Sequence, residues 1–395
     1  MPTPDRIALL TNFIPPYRLP VLRELERRCK GFQVFISTPM EDGRQWAPEW
    51  SGIPVKVQSS FTWRSTWRHP QAFAEPLSIQ LPYDTLSQLA RFDPDVVISG
   101  ELGFRTLQAA AFTSLSNRRR LVVWATISEA TEQGRGFVRP LVRRALLRVA
   151  DAVMVNGESG ASYVQRFGIG SEKVFRVPQT TDVGPFLQGS AERSPSIRHR
   201  LLYSGRLVEL KGLIPFMSHL SAWAVRNPQR DVDFCIAGDG PLRSSMAQFP
   251  CPTNLNVSFM GHVSYDRLPE IYGRAGILAF PTLADEWGLV AVEAMAAGLP
   301  VLGSLYSQAV EDLVADGVNG WTFRPDHPSE VSAALGRALD ASVNQLNGMA
   351  AQARSTVQDM TACAMADRMM DAVEYACAPE RRIQKVTRQF DADLP

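Results

Sequence analysis

The chain holds 395 residues, 45% hydrophobic and 21% charged, an ordinary globular composition with length for two domains, which excludes wholesale disorder. Forty-one Lys and Arg against 40 Asp and Glu leave +1, too little for a nucleic-acid binder driven by bulk charge. The cysteines, Cys29, Cys235, Cys251, Cys363 and Cys377, stand singly without a CxxC pair, which argues against a zinc cage or disulfide framework and for reduced thiols in a cytosol.

The opening apolar run, 7–11, is too short for a signal peptide. The longest uncharged run, between Glu293 and Glu311, is broken by Gly298, Pro300 and Gly303 and does not suit a bilayer span, so a cytoplasmic protein is expected. Short apolar runs alternate with amphipathic segments, the pattern of βαβ units and parallel sheets. In the first half this predicts strands at 7–11, 32–37, 96–99, 121–126, 152–156 and 174–177, with helices at 18–29, 83–92, 103–115, 138–149 and 158–167. Residues 38–82, rich in Trp, Arg, Pro and Ser, read as a long surface loop with a strand or two. A polar segment, 188–200, reads as a linker. The alternation restarts with strands at 201–204, 232–237, 257–260, 276–280 and 300–303 and helices at 213–226, 242–248, 266–275, 289–297 and 308–315, then a helical tail from 329. The expected domains are therefore 1–187 and 201–360, joined by 188–200, with a tail over 361–395 that could return to the first domain.

Open α/β sheets bind ligands at the carboxyl ends of their strands, so the loops there carry the argument. After 201–204 come Gly205 and Arg206, then Lys211. Two cations beside such a mouth suit a diphosphate, although a solvated Arg and Lys on a loop would read the same way. After 276–280 comes Pro-Thr-Leu-Ala-Asp285-Glu286-Trp287-Gly288-Leu289, opening a helix that carries Glu293 among Val, Ala and Met. The free amides at that helix start attract phosphate or sugar oxygens, and a carboxylate in so apolar a segment needs a partner: ribose hydroxyls, or else a neighbouring Arg. Gly238-Asp-Gly-Pro and Gly261-His262-Val263 end two further strands in the same row, where a flat base could lie against backbone.

The succession SGRLVELKG, IAGDGPL, MGHV, FPTLADEWGLVAVEAMAAGLPV and VEDLVADGVNGWTF resembles glycosyltransferase family 4, densely over about 200–330 and more loosely through NFIPPYRLPVL and DPDVVISGE in the first half. The resemblance implies the α/β GT-B fold, two doubly wound Rossmann-like domains facing across a cleft, and retaining sugar transfer from a nucleoside-diphosphate sugar. It assigns Arg206 and Lys211 to the donor diphosphate and Glu293, the second Glu of a Glu-x7-Glu motif, to the ribose. Gly205, Gly238, His262, Val263, Trp287, Gly288 and Leu289 fall in the donor-binding loops. Asp285 stands where the first Glu of that motif is expected, with Glu286 directly after it, and one of the two is to contact the donor sugar. The spacing from Trp287-Gly288-Leu289 to Glu293 favours Asp285.

The first half departs from the family pattern. Asn12 to Arg18, with Tyr17 between, replaces a Gly-rich loop, and the strand ending at Trp124 lacks the family's His. Glu101 and Glu129 then become polar candidates on the acceptor side, beside Asn12, Tyr17 and Arg18, unless they are plain surface carboxylates. No cofactor and no metal is expected, since no Asp-x-Asp signature lies in these loops. Residues 1–190 carry 23 cationic and 17 acidic side chains against 18 and 23 in the remainder. The excess concentrates in 101–150, so the 135–148 segment is a candidate basic helix for the inner membrane face, with a solvated helix as the alternative. The loop carrying Phe61, Trp63, Arg64 and Trp67 mixes aromatics and cations in the same way. A lipid-linked or cell-envelope saccharide acceptor, as in polysaccharide biosynthesis, follows from that reading. The competing functions are a sugar-nucleotide epimerase of the same fold and a degenerate nucleotide binder without turnover. An NAD-dependent enzyme is disfavoured because no GxGxxG follows the first strand.

Overall fold

The computed structural model describes residues 4–40, 49–136, 138–189 and 194–378. Phe137 of the basic segment, 190–193 of the expected linker and 379–395 of the expected tail lie outside the described residues.

The chain divides into two compact units, the first comprising the described residues up to Trp67, 76–181 and the helix Ala362–Cys377, the second 68–75 and 182–361. The first contains β1 (Arg6–Thr11), β2 (Gly31–Ile36), β3 (Val55–Val57), most of β4 (Ser60–Arg68) and β5 (Ala74–Pro82), then β6 (Val96–Gly100), β7 (Arg120–Ala125), β8 (Ala152–Val155) and β9 (Val174–Arg176). Seven of these form one sheet in the order β3-β2-β1-β6-β7-β8-β9, parallel throughout. Strands β6, β7 and β8 are buried at every position, as expected where helices cover both faces of a parallel sheet. The second unit contains β10 (Arg200–Ser204), β11 (Val232–Ala237), β12 (Leu255–Gly261), β13 (Ile277–Phe280), β14 (Val301–Ser304) and β15 (Gly320–Phe323), in the parallel order β12-β11-β10-β13-β14-β15.

In both sheets the order reverses beside the first strand, between β1 and β6 and between β10 and β13. Crossover connections leave opposite faces there, so a crevice opens outside the strand ends. Each unit therefore carries one such switch point.

The structure differs from the sequence expectation in two places, at strand β15 and at the unit boundary. The segment 38–82 carries strands as expected, β3 joining the main sheet and β4 and β5 pairing as a separate two-stranded sheet. Its Trp67 indole donates to the Gln133 carbonyl at 2.9 Å, and the Arg135 guanidinium stacks on that ring. Strand β15 is short and follows a turn, without the apolar run that would announce it. The unit boundary falls between Thr181 and Asp182 rather than around 188–200, because Val183 and Phe186 are buried in the core of the second unit. Polar composition marks exposed chain, and cores divide where contacts thin out. In the tail, the helix Ala362–Cys377 buries Met365, Met369 and Val373 in the same core as Ile7, Val122 and Met154.

Candidate functional site

At the β10/β13 switch point, four strand-end loops of the second unit are locked together by backbone contacts. The Gly205 amide donates to the Ala237 carbonyl at 2.9 Å and Leu207 to Asp239 at 2.9 Å, which joins the β10 loop to the β11 loop. Gly238 has φ +149, and a Cβ there would lie 1.8 Å from the Gly205 carbonyl oxygen, so only glycine lets the two loops touch. The Leu283 amide donates to the Leu210 carbonyl at 2.8 Å, and the Thr282 hydroxyl reaches the same oxygen, joining β10 to β13. The Asp285 amide then donates to the Tyr306 carbonyl at 2.9 Å, bringing in the loop after β14.

This lattice fixes the charged side chains. Lys211 Nζ pairs with Asp285 Oδ2 at 2.5 Å, both less than one-fifth exposed, while Asp285 Oδ1 accepts from the Trp287 amide at 3.2 Å. Two residues proposed from sequence are thus brought together as an ion pair, and both Asp285 oxygens are engaged. Glu286 is exposed, its backbone carbonyl held by the Gln308 side chain. Arg206 is exposed too and makes no ion pair among the described residues, but its carbonyl accepts from the buried Tyr203 hydroxyl at 2.7 Å. The loop is therefore anchored while the guanidinium remains available.

Trp287 and Gly288 are buried, and Gly288 precedes the helix Leu289–Ala296 at φ +107. A Cβ there would collide with Ser307 Oγ at 2.5 Å and with the Phe280 ring, which accounts for glycine at that turn. Helix residues Leu289 and Val290 follow without a side-chain cap. One turn further, Glu293 is 5% exposed, and its Oε2 accepts from the Tyr272 hydroxyl at 3.0 Å. Burial pushes the Glu293 carboxyl up to about 7, with the Tyr272 hydroxyl opposing. At the far strand of the row, Gly261 ends β12, His262 is exposed and Val263 half-buried.

In the first unit, Asn12 and Glu101 follow β1 and β6, on either side of the other switch point. Arg105, which sequence reading missed, links them. Its guanidinium is buried, donates to Asn12 Oδ1 at 3.4 Å and to Ser37 Oγ at 2.7 Å, and lies 3.8 Å from Glu101 Oε2. Glu101 adopts φ +71, a left-handed backbone rare for a side-chain-bearing residue. Tyr17 and Arg18 form a 3-10 turn, and the Arg18 guanidinium stacks 4.9 Å from the Trp124 ring. Glu129 lies apart from these and pairs with Arg166. Tyr203 and Tyr272 were also missed: neither belongs to a recognisable motif, and the Glu293 partner of Tyr272 is 21 residues away.

The basic segment is only partly a surface. Arg143 of the helix Val138–Val149 is buried and pairs with Glu132, donating also to the Tyr163 hydroxyl at 2.9 Å. Arg139 lies 3.7 Å from Glu132, and Arg135 stacks on Trp67. The outer face presents Val138, Leu141, Ala145 and Val149, edged by Arg144 and Arg148. No helix among the described residues is long and apolar enough to cross a membrane.

Two family models match the chain: "Glycosyl transferase 4-like domain" over residues 15–180 and "Glycosyl transferases group 1" over 198–341. The sequence is 28% identical over 211 residues to D-inositol 3-phosphate glycosyltransferase 2 of Catenulispora acidiphila, covering 49% of this chain and 48% of that protein. It is 30% identical over 141 residues to an uncharacterized glycosyltransferase of Methanocaldococcus jannaschii, covering 35% of each. The chain thus spans about half or less of the length of these relatives. Among solved structures it is similar to Anabaena Alr3699/HepE in complex with UDP, with a TM-score of 0.68 at 17% identity over 94% of this chain and 99% of that one. The lipopolysaccharide outer core galactosyltransferase WaaB gives 0.66 at 14% identity, over 93% and 99%. At these identities the structural likeness establishes the GT-B fold.

Proposed function

Since the chain belongs to the group 1 glycosyltransferases, we propose that it transfers a sugar from a nucleoside-diphosphate sugar to an acceptor hydroxyl with retention at the anomeric carbon. The observation that carries this is the convergence of an exposed Arg206 without an ion pair among the described residues, the Lys211–Asp285 pair and the buried Glu293 at one switch point. Arg206 and Lys211 hold the diphosphate and stabilise its charge as the anomeric C–O bond breaks. Glu293 accepts from the ribose hydroxyls, Asp285 rather than Glu286 contacts the donor sugar, and the backbone around His262 and Val263 reads the base, with Gly205 and Gly238 lining the turn. The acceptor oxygen bonds to the anomeric carbon on the face the phosphate leaves, and its proton passes to the departing phosphate oxygen. In this reading Asn12, Glu101, Tyr17 and Arg18 meet the acceptor, Glu129 standing further off, and no metal is required.

A thermal-shift screen against UDP, GDP and ADP, with and without EDTA, tests the donor reading in wild type and Arg206→Ala. UDP leads the screen because the similar Anabaena protein was solved with it. Stabilisation by one nucleotide, lost in the variant and indifferent to EDTA, is the expected result. No stabilisation by any of them would leave a family member that has lost its donor.

The acceptor proposed is a lipid-linked or cell-envelope saccharide, reached at the cytoplasmic membrane face. The apolar outer face of the helix Val138–Val149, flanked by Arg144 and Arg148, supports this. A cation near an anionic leaflet is worth about 1 kcal/mol, so R144E/R148E should weaken flotation with anionic vesicles more than about 30-fold. Nucleotide stabilisation should be unaffected. Unchanged flotation would remove the membrane from the account.

A further inference from the structure

We propose that Tyr272 is a positioning residue for Glu293, fixing one carboxylate oxygen so that the other meets the ribose of the donor, an inference that rests on the donor reading above. Tyr272 lies in the helix Leu268–Gly273, is wholly buried, and packs edge-on against Phe186. Its hydroxyl has one proton to give, and it gives it to Glu293 Oε2 at 3.0 Å. The Tyr272 hydroxyl oxygen in turn accepts a hydrogen bond from the Ser204 hydroxyl. Ser204 is the last residue of β10, directly before Gly205 and Arg206. A buried chain, Ser204 to Tyr272 to Glu293, therefore runs from the root of the cationic loop to the carboxylate on the helix Leu289–Ala296. Tyr272 is the one hydrogen-bond donor to Glu293 among the described residues.

This arrangement sets a pH dependence. The elements packed on the Glu293 helix are the helices Gly184–Leu187, Gln308–Leu313 and Val343–Val357, with β13 and β14. Their charged side chains are Glu311 and Asp312, both exposed, and Arg354, which donates to the Gly189 carbonyl. On the Tyr272 side, Tyr265 acts on the phenol, while Glu270 and Arg274 pair with each other at the surface. Burial and the Tyr272 hydroxyl are what act on the Glu293 carboxyl, which burial pushes up to about 7. Only the carboxylate accepts from two ribose hydroxyls, so nucleotide affinity should fall as pH drops below that value. Phenylalanine at 272 removes the one interaction that favours the charged form, so the midpoint should move to higher pH.

The test is the dissociation constant of UDP, or of GDP where UDP does not bind, measured by calorimetry from pH 6 to 9 on the full chain. For Y272F we expect about tenfold weaker binding at pH 7, recovery to within threefold of wild type at pH 9, and an alkaline shift of the midpoint. E293Q should bind weakly with a flat profile. S204A, which leaves the phenol in place, should shift the midpoint in the same direction by less. A Y272F profile that is uniformly weaker with an unmoved midpoint, or equal to wild type, overturns the inference and leaves the donor reading standing. If Y272F does not fold, an unmoved S204A midpoint overturns it. Wild type that binds neither nucleotide at any pH overturns both.

Discussion

Alanine in place of Arg206 is expected to lower kcat/KM for sugar transfer by about 10²–10³-fold, the usual cost of removing one preorganised donor to a developing oxyanion. The melting temperature should stay within about one degree of wild type. The two halves of this expectation have separate causes. The guanidinium is exposed and without an ion pair among the described residues, so its loss leaves no buried charge behind. The loop itself is held by backbone, through the Tyr203 hydroxyl on the Arg206 carbonyl and the Gly205–Ala237 and Leu207–Asp239 bonds, none of which needs the side chain. Lys211→Ala should behave differently. It strands Asp285, less than one-fifth exposed, without its partner, so turnover and stability fall together. Asp285→Asn frees the Lys211 charge, and should bind nucleoside diphosphate at least as tightly as wild type while transferring poorly. Steady-state kinetics beside thermal denaturation separate the three variants. Arg206→Ala with undiminished turnover would place the diphosphate elsewhere.

What the sequence made legible was local. The βαβ rhythm locates most strands within a residue or two, because parallel strands buried on both faces are continuous apolar runs. The strand-end loops of the second unit declare themselves through turn chemistry: Gly238 and Gly288 occupy backbone positions that exclude a Cβ, and such a demand is written at a single position. Properties that depend on distant pairings were not legible. Arg143 and Arg144 are neighbours in one basic run, yet Glu132 and Tyr163 take Arg143 into the core while Arg144 stays outside. Arg105 and Tyr272 carry no motif, and each matters through partners distant in sequence, while Tyr203 matters through the Arg206 carbonyl three residues on, a contact set by how the loop turns. Amphipathicity in the tail foretells a helix, but its Met and Ala stripe does not name the core it joins. The replacement of the family's first Glu by Asp285 was visible, but its short side chain ending on Lys211 was not.

Gln in place of Glu293 should raise stability at pH 8 and leave it unchanged near pH 4.5. Glu293 has its folded-state pKa raised from 4.5 to about 7, so the native chain holds this proton more tightly than the unfolded chain does. Its contribution is complete below the ordinary value and is lost as pH rises through about 7. Two to three units at about 1.4 kcal/mol each make the ionised carboxylate a liability on the order of 3 kcal/mol above neutrality. The Tyr272 hydroxyl offsets part of the desolvation, and with no other donor among the described residues the remainder stands. Glutamine keeps the shape and still accepts from Tyr272 through its carbonyl, but it has no charge to bury. The melting temperature of E293Q at pH 8 should exceed that of wild type by roughly 5 °C, and the two curves should converge on acidification. An E293Q less stable than wild type at pH 8 would mean the carboxylate is already satisfied in the folded chain and is not waiting for a ligand. The same substitution should cost nucleotide affinity, because a neutral amide is a poorer acceptor for ribose hydroxyls. Stability gained where binding is lost would mark Glu293 as a group whose burial the fold tolerates for the sake of its ligand.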